Sequence, residues 1–168
     1  YQEILTDPSY ASQIVTFTFP HIGNVGVNFE DNEASKPFAC GMVVKWRPTL
    51  ASNWRSKQNL IEWLESNSLI AIGGVDTRRL TRIIRKQGAP HVALEHNPNG
   101  KFNTDALIKE AKRFEGLSGL DLAKNVTAST KYNWTQDRWK WAKGYGKIAR
   151  NKARVVAIDF GVKENILR

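Results

Sequence analysis

Phe38-Ala39-Cys40-Gly41-Met42-Val43-Val44-Lys45-Trp46 is a nearly unbroken apolar run, rich in valine and closed by Pro48. A strand that is apolar along its length is buried on both faces, as in a sheet covered on either side. The flanks fit that reading. Upstream, Ile14-Val15-Thr16-Phe17-Thr18-Phe19 alternates, with Val15, Phe17 and Phe19 on one face, and Pro20 ends it. Downstream, Leu60, Ile61, Trp63 and Leu64 recur at helical spacing behind Ser56, a candidate N-cap. Leu69-Ile70-Ala71-Ile72 is a further short strand stopped by Gly73-Gly74. Asp76 can cap a second helix with the stripe Leu80, Ile83 and Ile84, and Gly88 stands just past its end. Val92-Ala93-Leu94 reads as another strand and Asn97-Pro98-Asn99-Gly100 as a turn. Leu107, Ala111 and Phe114 mark a third helix after Asn103 or Thr104. The class is α/β.

The last stretch carries the same signal. Val155-Val156-Ala157-Ile158 reads as a short strand, followed by Asp159-Phe160-Gly161 and a helix-like Lys163 to Arg168. A strand entering a helix is the first half of a βαβ unit. The expected organisation is therefore residues 1–130 as one domain, 131–154 as a basic, Trp-containing interdomain linker, and 155–168 as the start of a parallel α/β domain.

The chain has 168 residues, with Lys+Arg 25 against Asp+Glu 16 and a net charge of +9. A chain of this length buries roughly 70% of its unfolded surface and needs no covalent staples. The single cysteine, Cys40, excludes an internal disulfide framework and a multi-cysteine metal site. No run approaches the roughly eighteen apolar residues of a membrane span, and a cytoplasmic location is expected. Residue 1 is Tyr, so the N-terminus is expected to be processed or not the true start. Between Lys131 and Arg154 stand eight cations (Lys131, Arg138, Lys140, Lys143, Lys147, Arg150, Lys152, Arg154) and one acid, Asp137. That is +7 of the +9, interleaved with Trp134, Trp139, Trp141 and Tyr145. Such a mixture suits a partly packed linker, or a non-catalytic basic module that binds single-stranded nucleic acid or another acidic partner. The absence of an accompanying nucleic-acid motif favours the linker.

The chemistry-bearing residues are few. Asp159-Phe160-Gly161 has the letters of the kinase magnesium motif, but no glycine-rich phosphate loop, strand lysine or catalytic-loop aspartate precedes it. Cys40 lies inside the apolar run with no His or Lys close in sequence, so it is expected to be a buried, inert hydrophobe with a raised pKa. His21, His91 and His96 have no ligand spacing. Arg78, Arg79, Arg82 and Arg85 share one arc of a helix, at about 100° per residue, which suits a solvated face or an acidic partner surface.

In whole segments the chain resembles the small (glutaminase) chain family of carbamoyl-phosphate synthetases. The resembling stretches are Tyr1 to Tyr10 with Thr6-Asp7-Pro8-Ser9-Tyr10, Phe19-Pro20-His21-Ile22-Gly23-Asn24-Val25-Gly26, and Ser52-Asn53-Trp54-Arg55. They continue with Gly74-Val75-Asp76-Thr77-Arg78-Arg79-Leu80-Thr81-Arg82, Gly119 to Lys124, Tyr132-Asn133-Trp134-Thr135, and Ile158 to Arg168. They follow the family's order and cover nearly all of the chain.

That resemblance implies a layered β/β/α N-terminal domain lacking its initial strands, then the truncated start of a class I glutamine amidotransferase domain. It implies that the catalytic cysteine and its His–Glu partners lie beyond Arg168, so Cys40 is not the nucleophile and no catalytic residue falls in this chain. The family's small subunit hydrolyses glutamine and channels ammonia to a large subunit. There carbamoyl phosphate is made from bicarbonate and ATP for arginine and pyrimidine synthesis. ATP and magnesium are expected on the large subunit only, with no cofactor or metal here. The implied partners are the large subunit and glutamine, and the serine of the Thr-Asp-Pro-Ser-Tyr stretch, Ser9, is the implied glutamine contact.

Overall fold

The computed structural model describes residues 1–149 and 153–168. Arg150 and Lys152, two of the eight cations counted above, lie outside the described residues. Three strands form a parallel sheet in chain order: β1 (Ile14–Thr16), β2 (Gly41–Val43) and β3 (Ile70–Ile72). Ile14 pairs with Gly41, which pairs in turn with Ile70. The result is a mixed α/β structure. The stretch 38–46 supplies the central strand, and Gly41 to Val44 are all buried.

Alternation sends Val15, Phe17, Met42 and Val44 to one face. There they form the core with Leu5 of α1 (Gln2–Thr6) and with Leu60, Trp63 and Leu64 of α2 (Leu60–Ser66). Met42, Val44, Leu5 and Leu60 are completely buried. The α1 helix is tied to the sheet through one carbonyl, since Leu5 O accepts from both Phe38 N at 2.9 Å and Ala39 N at 3.2 Å.

Helix starts follow side-chain chemistry. Asp76 accepts from Arg79 N–H at 2.9 Å and opens α3 (Thr77–Gln87), which ends at Gly88. Asn103 accepts from Ala106 N–H and opens α4 (Thr104–Arg113). The cap of α2 is Asn59 and not Ser56. Asn59 and Glu62 form a reciprocal capping box, which satisfies two end donors where a lone serine satisfies one. The turn at 97–100 is present, with Gly100 N–H donating to Asn97 O at 2.9 Å.

Three further expectations are corrected. Strand β1 stops at Thr16, and Phe19 is exposed. Val92–Leu94 is irregular. Leu94 lies against the sheet at Gly41, where an added Cβ would meet Leu94 Cδ2 at 2.8 Å, so the segment covers the second face instead of lengthening the sheet. Val155 to Ile158 is no strand: Val155 is 86% and Val156 83% exposed. A short apolar run forms a strand only beside a partner edge, and none stands next to it among the described residues.

Within the segment read as a linker, β4 (Gln136–Lys140) and β5 (Gly144–Lys147) form an antiparallel hairpin. The short α5 (Ala123–Val126) precedes it, and the helix-like end is realised as α6 (Glu164–Leu167). No described helix is long and apolar enough to cross a membrane.

The burial contrast gives an expected outcome in hydrogen exchange. Amides of Met42 to Val44 should be protected to near the global unfolding limit, and those of 155–158 should exchange fast. Equal protection in both places would overturn the described exposure of 155–158. Met42→Ala should cost about 2–5 kcal/mol in a denaturant titration.

Candidate functional site

Asp7 ends α1 with extended backbone, φ −69° and ψ 121°, the conformation a following proline imposes. Pro8 then opens a 3-10 turn, Pro8–Tyr10, where its fixed φ suits the first helical position. The Asp7 carboxylate closes this turn by accepting from Ser9 N–H at 2.8 Å, as Asp does two residues ahead of a turn amide. Ser9 is exposed. With Pro8 and Ala11 it lines a cleft of about 280 Å³ whose other wall is Leu122, Ala123, Val126, Phe160 and Gly161.

That second wall is built by another aspartate turn. Asp159 Oδ1 accepts from Gly161 N–H and Val162 N–H, both at 2.8 Å, and Oδ2 accepts from the Tyr132 hydroxyl at 3.0 Å. Burial pushes the Asp159 carboxyl up, and these donors outweigh it to leave the group below the usual aspartate value. Asp159 therefore spends its oxygens on its own turn. Gly161 has φ +98°, and an added Cβ would stand 2.7 Å from Val126 Cγ2 and 3.2 Å from Pro8 Cβ. Only glycine lets the two turns and α5 come this close.

The two turns are also linked by charge. Lys163 Nζ stands 3.0 Å from Asp7 Oδ2. Burial again pushes the Asp7 carboxyl up, but the Ser9 N–H, the Lys163 ammonium and the Ser9 hydroxyl hold it below the usual aspartate value. Just beyond, Glu164 N–H donates to Glu33 O at 3.1 Å and Asn165 N–H to the Glu33 carboxylate at 3.0 Å. Arg168 reaches Glu164, Gln136 and Asn32 O, and its guanidinium lies 3.8 Å from the Tyr145 ring centroid.

The other sequence candidates are not gathered here. Cys40 is exposed, which corrects the expectation of a buried hydrophobe. Its N–H donates to Gln13 O at 2.8 Å as the chain enters β2, and its neighbours Ala39 and Gly41 are buried while it is not. His21 and His96 are exposed, and His91 packs edge-on against Phe114. Among the described residues no group of three or more His, Cys, Asp or Glu is placed to hold a metal. Arg78, Arg79, Arg82 and Arg85 lie exposed on α3, and none forms an ion pair among the described residues. In the hairpin region, Arg55 lies 5.3 Å from the Trp139 ring centroid and pairs with Glu30 and Asp31.

A family model described as carbamoyl-phosphate synthase small chain, CPSase domain, matches residues 1–94. The carbamoyl phosphate synthase small chain of Ruegeria pomeroyi is 64% identical over all 168 residues, which is 43% of that protein. Those of Agrobacterium fabrum and Ralstonia nicotianae are each 51% identical over the whole of this chain, 43% and 44% of their own lengths. The chain belongs to the carbamoyl-phosphate synthase small-chain family. It spans less than half the length of these relatives. The family match covers α1, the Ser9 turn and the parallel sheet. The far wall of the cleft, at 122–126 and 160–161, lies past residue 94 but within the 168 residues aligned with the small-chain relatives.

Two polar residues of this junction, Asp7 and Lys163, were given no functional role by the sequence reading. Asp7 had a signal, since Asp-Pro-Ser is a turn sequence whose carboxylate bonds the amide two residues on. Lys163 had none.

Gly161→Ala should cost about 1–3 kcal/mol, seen as a fall in Tm of roughly 2–4 °C per kcal/mol for a chain of this size. An unchanged Tm would mean the turns do not meet as described. The two depressed aspartates also fix a pH dependence. Their stabilisation is complete above the ordinary aspartate value of 3.8 and is lost as the pH falls through the lower native values. Amide exchange at 161–163 should therefore accelerate below that pH, more steeply than in Asp7→Asn.

Proposed function

We propose that this chain serves in the small subunit of a glutamine-dependent carbamoyl-phosphate synthase, as the scaffold that carries one glutamine contact, Ser9, and meets the large subunit. The observation that carries the reading is the 64% identity to a small chain over all 168 residues, together with an exposed serine at a cleft between the N-terminal turn and the 159–161 turn. In this reading residues 1–130 are the layered β/β/α domain, 131–154 the connection, and 155–168 the opening of the amidotransferase domain. Glutamine is hydrolysed by groups outside these residues. The ammonia passes to the large subunit, which holds ATP and magnesium and makes carbamoyl phosphate for arginine and pyrimidine synthesis in the cytoplasm. This chain by itself then has no glutaminase activity, and Cys40 has no part in the chemistry.

Ser9 suits its role physically. Its backbone is fixed by Pro8 and by the Asp7 carboxylate, so little freedom is lost when the hydroxyl engages a ligand. A hydroxyl donates to a carboxylate or accepts from an amide or ammonium, all of which glutamine offers. A hydrogen bond to a charged group is worth ~1.5–3 kcal/mol, or roughly tenfold to a hundredfold in binding.

The test is Ser9→Ala in the full-length small chain assembled with its large chain. The KM for glutamine is expected to rise by roughly tenfold to a hundredfold, with synthesis from free ammonia as the control for fold and assembly. An unchanged glutamine KM removes Ser9 from the site. Loss of both activities together makes its role structural.

A further inference from the structure

We propose that Asp7 is a positioning residue for Ser9, its carboxylate coupling the turn that carries the Ser9 hydroxyl to Lys163 on the far side of the cleft. This rests on the reading of Ser9 as a glutamine contact. The carboxylate serves both the Ser9 turn, where the Ser9 hydroxyl also bears on it, and Lys163. Oδ1 accepts from Ser9 N–H at 2.8 Å, and Oδ2 faces Lys163 Nζ at 3.0 Å. The Asp7 side chain is 8% exposed while that of Lys163 is 41% exposed. A carboxylate so far removed from water depends on its partners, and losing one leaves a buried charge poorly compensated.

Lys163 is held in place from the other side. Glu164 and Asn165 are fixed to Glu33, and Glu33 N–H itself donates to Thr6 Oγ1 at 2.9 Å, one residue before Asp7. The loop of contacts closes on itself: Thr6, Glu33, Glu164, Lys163, Asp7, Ser9. Pro8 adds a steric contact, since the space beside its Cβ is filled by Gly161 of the same far turn. The position of Ser9 is therefore set jointly by its own turn and by residues 159–165. A displacement of about 1 Å at a binding group is enough to cost up to a hundredfold.

The test is a double-mutant cycle in the full-length small chain with its large chain, read as the glutamine KM. Lys163→Met should raise the KM by roughly threefold to tenfold, within the range of coupling between groups of one network. In the Ser9→Ala background the same substitution should add less than about twofold, because the hydroxyl it positions is gone. Lys163→Arg keeps the charge and should restore most of the affinity. Asp7→Asn keeps volume and an acceptor for Ser9 N–H but loses the ion pair. It should behave as Lys163→Met does, and it carries the cycle if that variant fails to assemble. kcat at saturating glutamine should change less than KM. If Ser9→Ala leaves the KM unchanged, the glutamine reading of Ser9 fails. If Ser9→Ala raises it but neither Lys163→Met nor Asp7→Asn does, the coupling alone is wrong. Equal fold-changes with and without Ser9 would show that Lys163 acts independently of it and would also overturn the proposal.

Discussion

The structure depends on one strand being buried on both faces. Parallel neighbours cannot be joined by tight turns, so β2 needs long connections on either side, and those connections must also cover it. One face is covered by regular structure, with Leu5, Leu60, Trp63 and Leu64 packed on Met42 and Val44. The other is covered more thinly, in part by the irregular segment that sets Leu94 over Gly41. The same strand positions the site. Leu5 O binds the two amides just ahead of β2, which fixes α1 against the sheet. Asp7, Pro8 and Ser9 follow directly, so the cleft is reached from the core through a single helical turn of backbone.

The second anchor is electrostatic and works only because it is partly buried. Exposed ion pairs contribute about 0–1 kcal/mol, and Lys124–Asp121 and Arg113–Glu110 are of that kind. Glu33 and Asp7 differ. Both are nearly inaccessible, so their oxygens must be matched inside the protein. The residues that match them, Lys163 and Asn165, come from the far end of the chain. Desolvated carboxylates on the N-terminal part thus recruit residues 163–168, although the run just ahead of them, 155–158, remains exposed.

What was legible in the sequence was mostly local. Asp76, Asn103 and the turn at 97–100 each act through a side chain and an amide a few residues away, and each is where its spelling placed it. The centre of the apolar run at 38–46 was equally readable, since Gly41 to Val44 are buried, whereas Cys40, Lys45 and Trp46 toward its ends are exposed. Val92–Leu94 and Val155–Ile158 have similar letters but no adjacent strand, and pairing is a property of the neighbour that no short window contains. Cys40 failed for a related reason: hydrophobic surroundings in sequence do not state which way the residue just ahead of a strand points. At the site, Asp7 and its turn were spelled out by Asp-Pro-Ser. Ser9 as a ligand contact came only from resemblance, and Lys163, 156 positions from Asp7, left no local trace.

The basic Trp-containing segment is packed against the rest of the chain on two sides. Several of its aromatics are taken up by contacts within the chain, while Trp141 stays 72% exposed. The Trp139 ring is approached by Arg55, and Tyr145 and Trp134 by Arg168, cations from outside the segment itself. Arg55 also holds Glu30 and Asp31, and Trp139 Nε1–H donates to Glu30 at 2.9 Å. The hairpin therefore binds to the acidic loop 28–33 on one side and to α6 on the other. Arg168, whose side chain is 5% exposed, is the point where these meet. An arginine lying over an aromatic ring keeps its in-plane donors available for hydrogen bonds, and Arg168 uses them on Gln136, Asn32 O and Glu164. Trp139 is then accounted for by its contacts with Arg55 and Glu30, and Trp134 by its contact with Arg168. Trp134, Gln136 and Tyr145 hold the 164–168 end, and α6 follows immediately on Lys163, which reaches across to the turn of Ser9.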